Sequence, residues 1–100
     1  MNPRIHPLAR LDQRRQFEYL RKVHVGSGTL QKFIDAIREA KKKIGDNPQT
    51  WSFVPGSKRV RHVQVPTFRM QVFYIITPDE VPFILEIAGP GAEPRWRERL

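Results

Sequence analysis

Cysteine is absent from the 100-residue sequence, so no disulfide and no thiolate metal site can hold the fold. Nothing in its residue usage demands an oxidising compartment. No apolar run approaches the ~20 residues that a membrane-spanning helix requires. Met1–Arg15 carries charge but lacks the apolar stretch of a secretory signal. These absences predict a cytoplasmic protein with no membrane partner. His6, His24 and His62 lack the spacing of zinc ligands. Gly26-Ser27-Gly28 lacks the Lys-Ser/Thr that completes a phosphate-binding loop. No metal and no cofactor is therefore expected.

Acidic residues are also in short supply. Ten Asp and Glu face eighteen Lys and Arg, a formal net charge of +8. An excess of this size in so short a chain points to a polyanionic partner, either nucleic acid or an acidic protein segment. Hydrophobic residues make up 39% and aromatics 10%, sufficient for a single core. Residues 1–100 therefore read as one domain.

Helical periodicity fills the first half. Pro7 pushes His6 out of helical dihedrals, which limits residues 3–6 to a short edge strand and suits a helix start at residue 7 or 8. Residues 8–23 read as a helix with Leu8, Tyr19 and Val23 on its apolar side, flanked by Ala9 and Leu20, and with Asp12 and Gln16 interrupting the stripe. Val25–Thr29 reads as a turn, with Thr29 capping a second helix over 30–44. In that helix Leu30, Phe33, Ile34, Ile37 and Ile44 recur at helical spacing. Lys41–Lys43 complement the dipole of its last turn, and Gly45 offers a left-handed stop before Pro48.

Beyond Pro48 the periodicity becomes two-fold. Strands are predicted over 51–54, 58–65, 68–77 and 81–88, separated by Pro55-Gly56-Ser57, Pro66-Thr67 and Thr77–Glu80. Trp51 and Phe53 read as core rather than as RNA-stacking aromatics. Apolar residues on both faces of 68–77 mark it as central. The fold class is α+β, an antiparallel helical hairpin on an antiparallel sheet of four to five strands. Phe33, Ile37, Val72, Tyr74, Phe83 and Leu85 are the expected core.

Lys58, Arg59, Arg61 and His62, followed by Arg69, form the densest candidate site. Arginine and lysine can hold phosphate oxygens, and histidine can move a proton near neutral pH. A solvated sheet face with one incidental histidine explains His62 equally well. Arg69, set among Phe68, Met70 and Val72, asks for a partner. Arg59, together with Arg95, Trp96 and Arg97 in the tail, offers a basic surface for a partner, although a tryptophan after a sheet more often covers the edge of a core.

Several segments, in order, resemble the RelE/ParE toxins of type II toxin–antitoxin systems, the plasmid-stabilisation type. Arg4-Ile5-His6-Pro7-Leu8-Ala9 resembles their first strand and helix start. Phe33-Ile34-Asp35-Ala36-Ile37, running to Gly45-Asp46-Asn47-Pro48, resembles their second helix and its exit. Arg61–Tyr74, with Arg69 opening an apolar strand, is similar to their central strands, and Pro94–Leu100 to their tail. The resemblance implies a growth-inhibiting toxin neutralised by an acidic antitoxin. Some members cut mRNA on the ribosome without metal, and others poison DNA gyrase. Cutting would rest here on Arg69, His62, Arg61 and Lys58. The family's cutters carry basic residues after the last strand, whereas Gly89–Glu93 has none. Trp96 stands where a proton donor is expected, and an indole N–H does not ionise usefully. The leading expectation is a toxin that binds its target, with gyrase the target suggested. An mRNA endoribonuclease and a non-toxic binding relative are the alternatives.

Overall fold

The computed structural model describes residues 1–23 and 28–100. The expected turn residues Val25–Ser27 lie outside the described residues. A short strand β1 (Arg4–Ile5) leads into helix α1 (Pro7–Val23), followed by helix α2 (Thr29–Asp46) and strands β2 (Arg61–Val65), β3 (Met70–Ile76) and β4 (Pro82–Ala88). The order across the sheet is β1-β4-β3-β2. The fold is α+β, two helices on a four-stranded open sheet, with β3 central as expected. The sheet is mixed rather than wholly antiparallel, because β1 runs parallel to β4, with Arg4 beside Phe83 and Ile5 beside Ile84. Among the described residues no helix is long and apolar enough to cross a membrane.

α1 starts where Pro7 fixes its first dihedral. The His6 carbonyl accepts from the Arg10 N–H, and its Nδ1 accepts from the Leu8 N–H at 3.0 Å, so a histidine side chain caps the helix. The buried side of α1 differs from the expected one. Leu8, Tyr19 and Val23 are 45%, 64% and 53% exposed. Ala9, Phe17 and Leu20 face the core instead. Asp12 and Gln16 share that inward side, for a reason given below.

α2 buries Phe33, Ile37, Ala40 and Ile44 as its spacing predicts. Thr29, expected as the cap, is the first helical residue, and Gly28 with φ 72° takes the cap position. Gly45 does not stop the helix, which continues to Asp46. Glycine is needed there for space, since a Cβ would meet the Met1 carbonyl oxygen at 2.0 Å.

Three strand expectations are corrected. Residues 51–54 form no strand and touch the sheet through a single bridge, Phe53 to Arg61. The Trp51 indole donates to the Lys43 carbonyl and draws the segment toward the end of α2. β2 starts at Arg61 rather than at residue 58, because Ser57 Oγ takes the N–H groups of Arg59 and Val60 at 3.1 and 2.9 Å and bends the chain. β3 starts at Met70, because Pro66–Phe68 forms a 3₁₀ turn that ends on Arg69 at φ 53°. Arg69 therefore stands in the turn between strands and opens neither.

Apolar side chains fill both faces of the sheet. The helix-side core joins Phe33, Ile37 and Ile44 to Val63, Val72, Tyr74, Ile84 and Ile87. The opposite face gathers Val60, Phe73, Ile75, Leu85 and Ala88 under Trp96. Of the expected core residues, Phe83 is only partly buried, since it lies next to the short edge strand β1 with its ring 5.8 Å from that of His6. Tyr74 pairs with Ile84 and Phe73 with Glu86, which leaves Leu85 as a bulge residue in β4.

Candidate functional site

The register between β2 and β3 decides which basic residues meet. Arg61 lies opposite Tyr74, His62 opposite Phe73 and Val65 opposite Met70. Arg61 is thus four strand positions from the turn that carries Arg69, a separation of roughly 13 Å along the strand. The sheet does not bring Arg69 together with Arg61, His62 and Lys58.

Arg61 is occupied locally. Its Nη1 donates to the Gln49 carbonyl at 3.1 Å and the Trp51 carbonyl at 2.7 Å, and its guanidinium sits 4.0 Å above the exposed Phe53 ring. This arrangement ties the chain after α2 to the edge of the sheet. Tyr74, opposite Arg61, donates its hydroxyl to the Pro48 carbonyl in the same loop. Burial pushes the Tyr74 phenol up to about 12, against a smaller opposing pull from Arg61. The phenol is therefore a fixed donor at neutral pH rather than a proton carrier.

His62 projects on the other face of the sheet. Its Nδ1 lies 3.0 Å from Gln71 Oε1, and its ring stacks on Phe73 at an interplanar angle of 8°. The amide fixes the ring orientation. Lys58 and Arg59 are exposed in the turn before β2. In the tail, Arg95 and Arg97 are exposed while Trp96 is 5% exposed and covers Leu85 and Ala88, with the Arg97 guanidinium 4.4 Å from its ring. The indole face of Trp96 belongs to the second core.

A denser polar constellation lies where α1 passes the outer edge of β4. β1 covers that edge only as far as Ile84, whose carbonyl takes the His6 N–H. Beyond it, Asp12 Oδ2 accepts the Ile87 N–H at 3.1 Å and Gln16 Nε2 donates to the Ile87 carbonyl at 2.7 Å. Two side chains thus satisfy an edge that a further strand would otherwise pair. Arg99 donates to both Asp12 oxygens and to the carbonyl of the bulge residue Leu85. Glu86, 4% exposed, accepts the Arg95 N–H at 2.7 Å. These groups, with Arg15 and Glu98, line a cleft of about 470 Å³. Desolvation holds the Glu86 carboxyl above its ordinary value, opposed by hydrogen bonding from the Arg95 N–H and by the Arg99 charge. The Asp12 hydrogen bond holds Arg99 firmly protonated.

Sequence reasoning did not single out Asp12, Gln16, Glu86 or Arg99 as a group. The signal was present: residues 9, 12, 16 and 20 share one helical face, and Glu86 is the lone charge within Val81–Ala88. Among the described residues no group of three or more His, Asp or Glu side chains is placed to hold a metal ion. No family model and no curated protein matches the chain.

Proposed function

We propose that the protein is a toxin of the RelE/ParE type that inhibits growth by binding its target rather than by cutting RNA, with DNA gyrase the target the resemblance suggests. The observation that carries the non-cleaving half of this reading is the state of Arg61, whose Nη1 closes on the Gln49 and Trp51 carbonyls while Arg69 stands in a distant turn. Metal-independent RNA cleavage needs cations and a proton carrier gathered about one phosphate. The order of a helical hairpin followed by antiparallel β2, β3 and β4 supports the family reading. The net charge of +8 supports neutralisation by an acidic antitoxin, whose encounter it would accelerate.

Induced expression with RNA integrity and gyrase supercoiling followed side by side tests the reading. Growth arrest with intact mRNA and impaired supercoiling is expected. Ribosome-dependent mRNA cleavage would replace it with the endoribonuclease reading, which the fixed, stacked ring of His62 favours. Unimpaired growth would leave a binding-only relative.

A further inference from the structure

The α1–α2 hairpin carries a cluster of cations that the reading above does not use. Arg10 and Arg14 are four residues apart on α1, hence neighbours on one face of the helix. Lys41 reaches across from α2, and its Nζ donates to Gln13 Oε1 at 2.9 Å. Together these side chains line a groove of about 270 Å³ between the helices, with Phe17 and Ile34 among its apolar lining and no carboxylate in it.

Among the described residues these three cations form no ion pair. Ion pairs among the described residues are Arg4–Asp79, Arg21–Glu18, Arg38–Asp35 and Arg99–Asp12. None includes Arg10, Arg14 or Lys41; Asp12, Glu18 and Asp35 are engaged elsewhere, and Asp46, which shares a separate cleft with Lys41, forms no ion pair with it. Burial, and then the Arg10 charge, hold the Lys41 amine below its ordinary value. Arg10 and Arg14 are exposed and Lys41 is partly buried, and like charges lining one groove favour an anion between them.

We propose that Arg10, Arg14, Lys41 and the Gln13 amide form a seat for a phosphate-monoester dianion. Three cationic side chains lining one groove suit a group with two charges and three terminal oxygens, which guanidinium forks can hold in pairs. The Gln13 oxygen faces Lys41, so its Nε2 hydrogens remain as further donors. A carboxylate offers one charge and two oxygens. A phosphodiester polymer also offers one charge per unit and favours cations spread along a track rather than gathered at one groove. The apolar lining leaves room for a non-polar part of the ligand beside the phosphate, so free phosphate and a nucleoside monophosphate share the required chemistry.

The test is titration of the full chain at pH 8 with inorganic phosphate and, separately, adenosine 5′-monophosphate, against chloride at matched ionic strength. Thermal stability and the Lys41 side-chain resonance are read together. Saturable stabilisation and an upward shift of the Lys41 pKa are expected with one or both ligands. Arg10→Gln and Lys41→Met should each weaken binding by about tenfold or more. Lys42→Met, outside the groove, should leave binding unchanged. Tighter binding of the nucleotide identifies it as the source; equal binding identifies free phosphate. No saturable response to either ligand, or an unmoved Lys41 pKa, overturns the proposal. So does a response confined to a phosphate-free acidic peptide or to a single-stranded oligonucleotide lacking terminal phosphate. The outcome is independent of the toxin reading, which rests on other residues.

Discussion

Arg99 and Asp12, 87 positions apart in the chain, form a two-pronged ion pair at 2.6 and 3.2 Å with side chains only 7% and 15% exposed. The pair locks the C-terminal 3₁₀ turn (Trp96–Arg99) against α1 and, through the Leu85 carbonyl, against the bulge of β4. It thereby holds Trp96 over the second core. Removing one partner leaves the other charge buried and uncompensated. Arg99→Met should cost on the order of 3 kcal/mol of folding stability. The double variant Asp12→Asn with Arg99→Met should recover part of that loss, because neither charge then remains. Urea denaturation of the single and double variants checks this; additive losses would show that the two side chains are not coupled.

Glu86 gives the fold a defined pH dependence. Its carboxyl is held above the ordinary value of 4.5, chiefly by burial. The ionised form is therefore disfavoured in the folded protein relative to the unfolded chain. Its contribution to stability is fully present below about pH 4.5 and is lost as pH rises through the raised folded value. Glu86→Gln keeps an acceptor for the Arg95 N–H and removes the charge. The variant should melt higher than the parent at neutral pH, and the difference should shrink as pH falls toward 4.5. Melting temperatures across that interval decide it. A constant difference would mean that burial of the charge is not its cause.

Phe33 tests the helix-side core. It is 1% exposed and meets Phe17 at 6.4 Å and Phe68 at 5.6 Å between ring centres. Phe33→Ala removes both ring contacts and leaves a cavity, with an expected loss of about 3–5 kcal/mol. Thermal melting of the variant measures it, and an unchanged transition would place the core elsewhere.

What the sequence made legible follows the strength of local periodicity. The buried side of α2 was readable because Phe33, Ile37, Ala40 and Ile44 repeat at helical spacing without interruption. The inward side of α1 is not legible from apolar spacing, which favours Leu8, Tyr19 and Val23, because two of its inward positions hold Asp12 and Gln16. Their partners are backbone groups of Ile87, more than seventy residues away, and no local pattern announces such a pairing. Residues 51–54 have strand composition but are governed by Trp51 and Arg61 contacts that depend on the end of α2. The basic cluster around Arg61 was visible as composition. Its dispersal was not, because it depends on the β2–β3 register and on the turn that puts Arg69 at positive φ.

Arg61 separates the two functional readings. In a cleaving enzyme it would contact phosphate, and its loss would abolish activity in a protein of unchanged stability. Its present contacts make it a clamp: one nitrogen bridges two carbonyls, and the planar group lies on Phe53. A lysine at this position lacks the planar fork and the stacking surface. Arg61→Lys should therefore loosen the chain after α2 and cost on the order of 1–2 kcal/mol. Tyr74→Phe, which leaves the Pro48 carbonyl in the same loop without its donor, should cost a similar amount. Amide hydrogen exchange should show faster opening around residues 49–53 in both variants. If the protein inhibits growth as proposed, that inhibition should fall only as far as the folded fraction falls, and His62→Gln should leave it intact. If Arg61→Lys removes growth inhibition while exchange and melting stay at parental values, Arg61 contacts the target directly and the clamp reading fails. If His62→Gln does the same and RNA cutting is lost with it, the histidine is the proton carrier of an endoribonuclease.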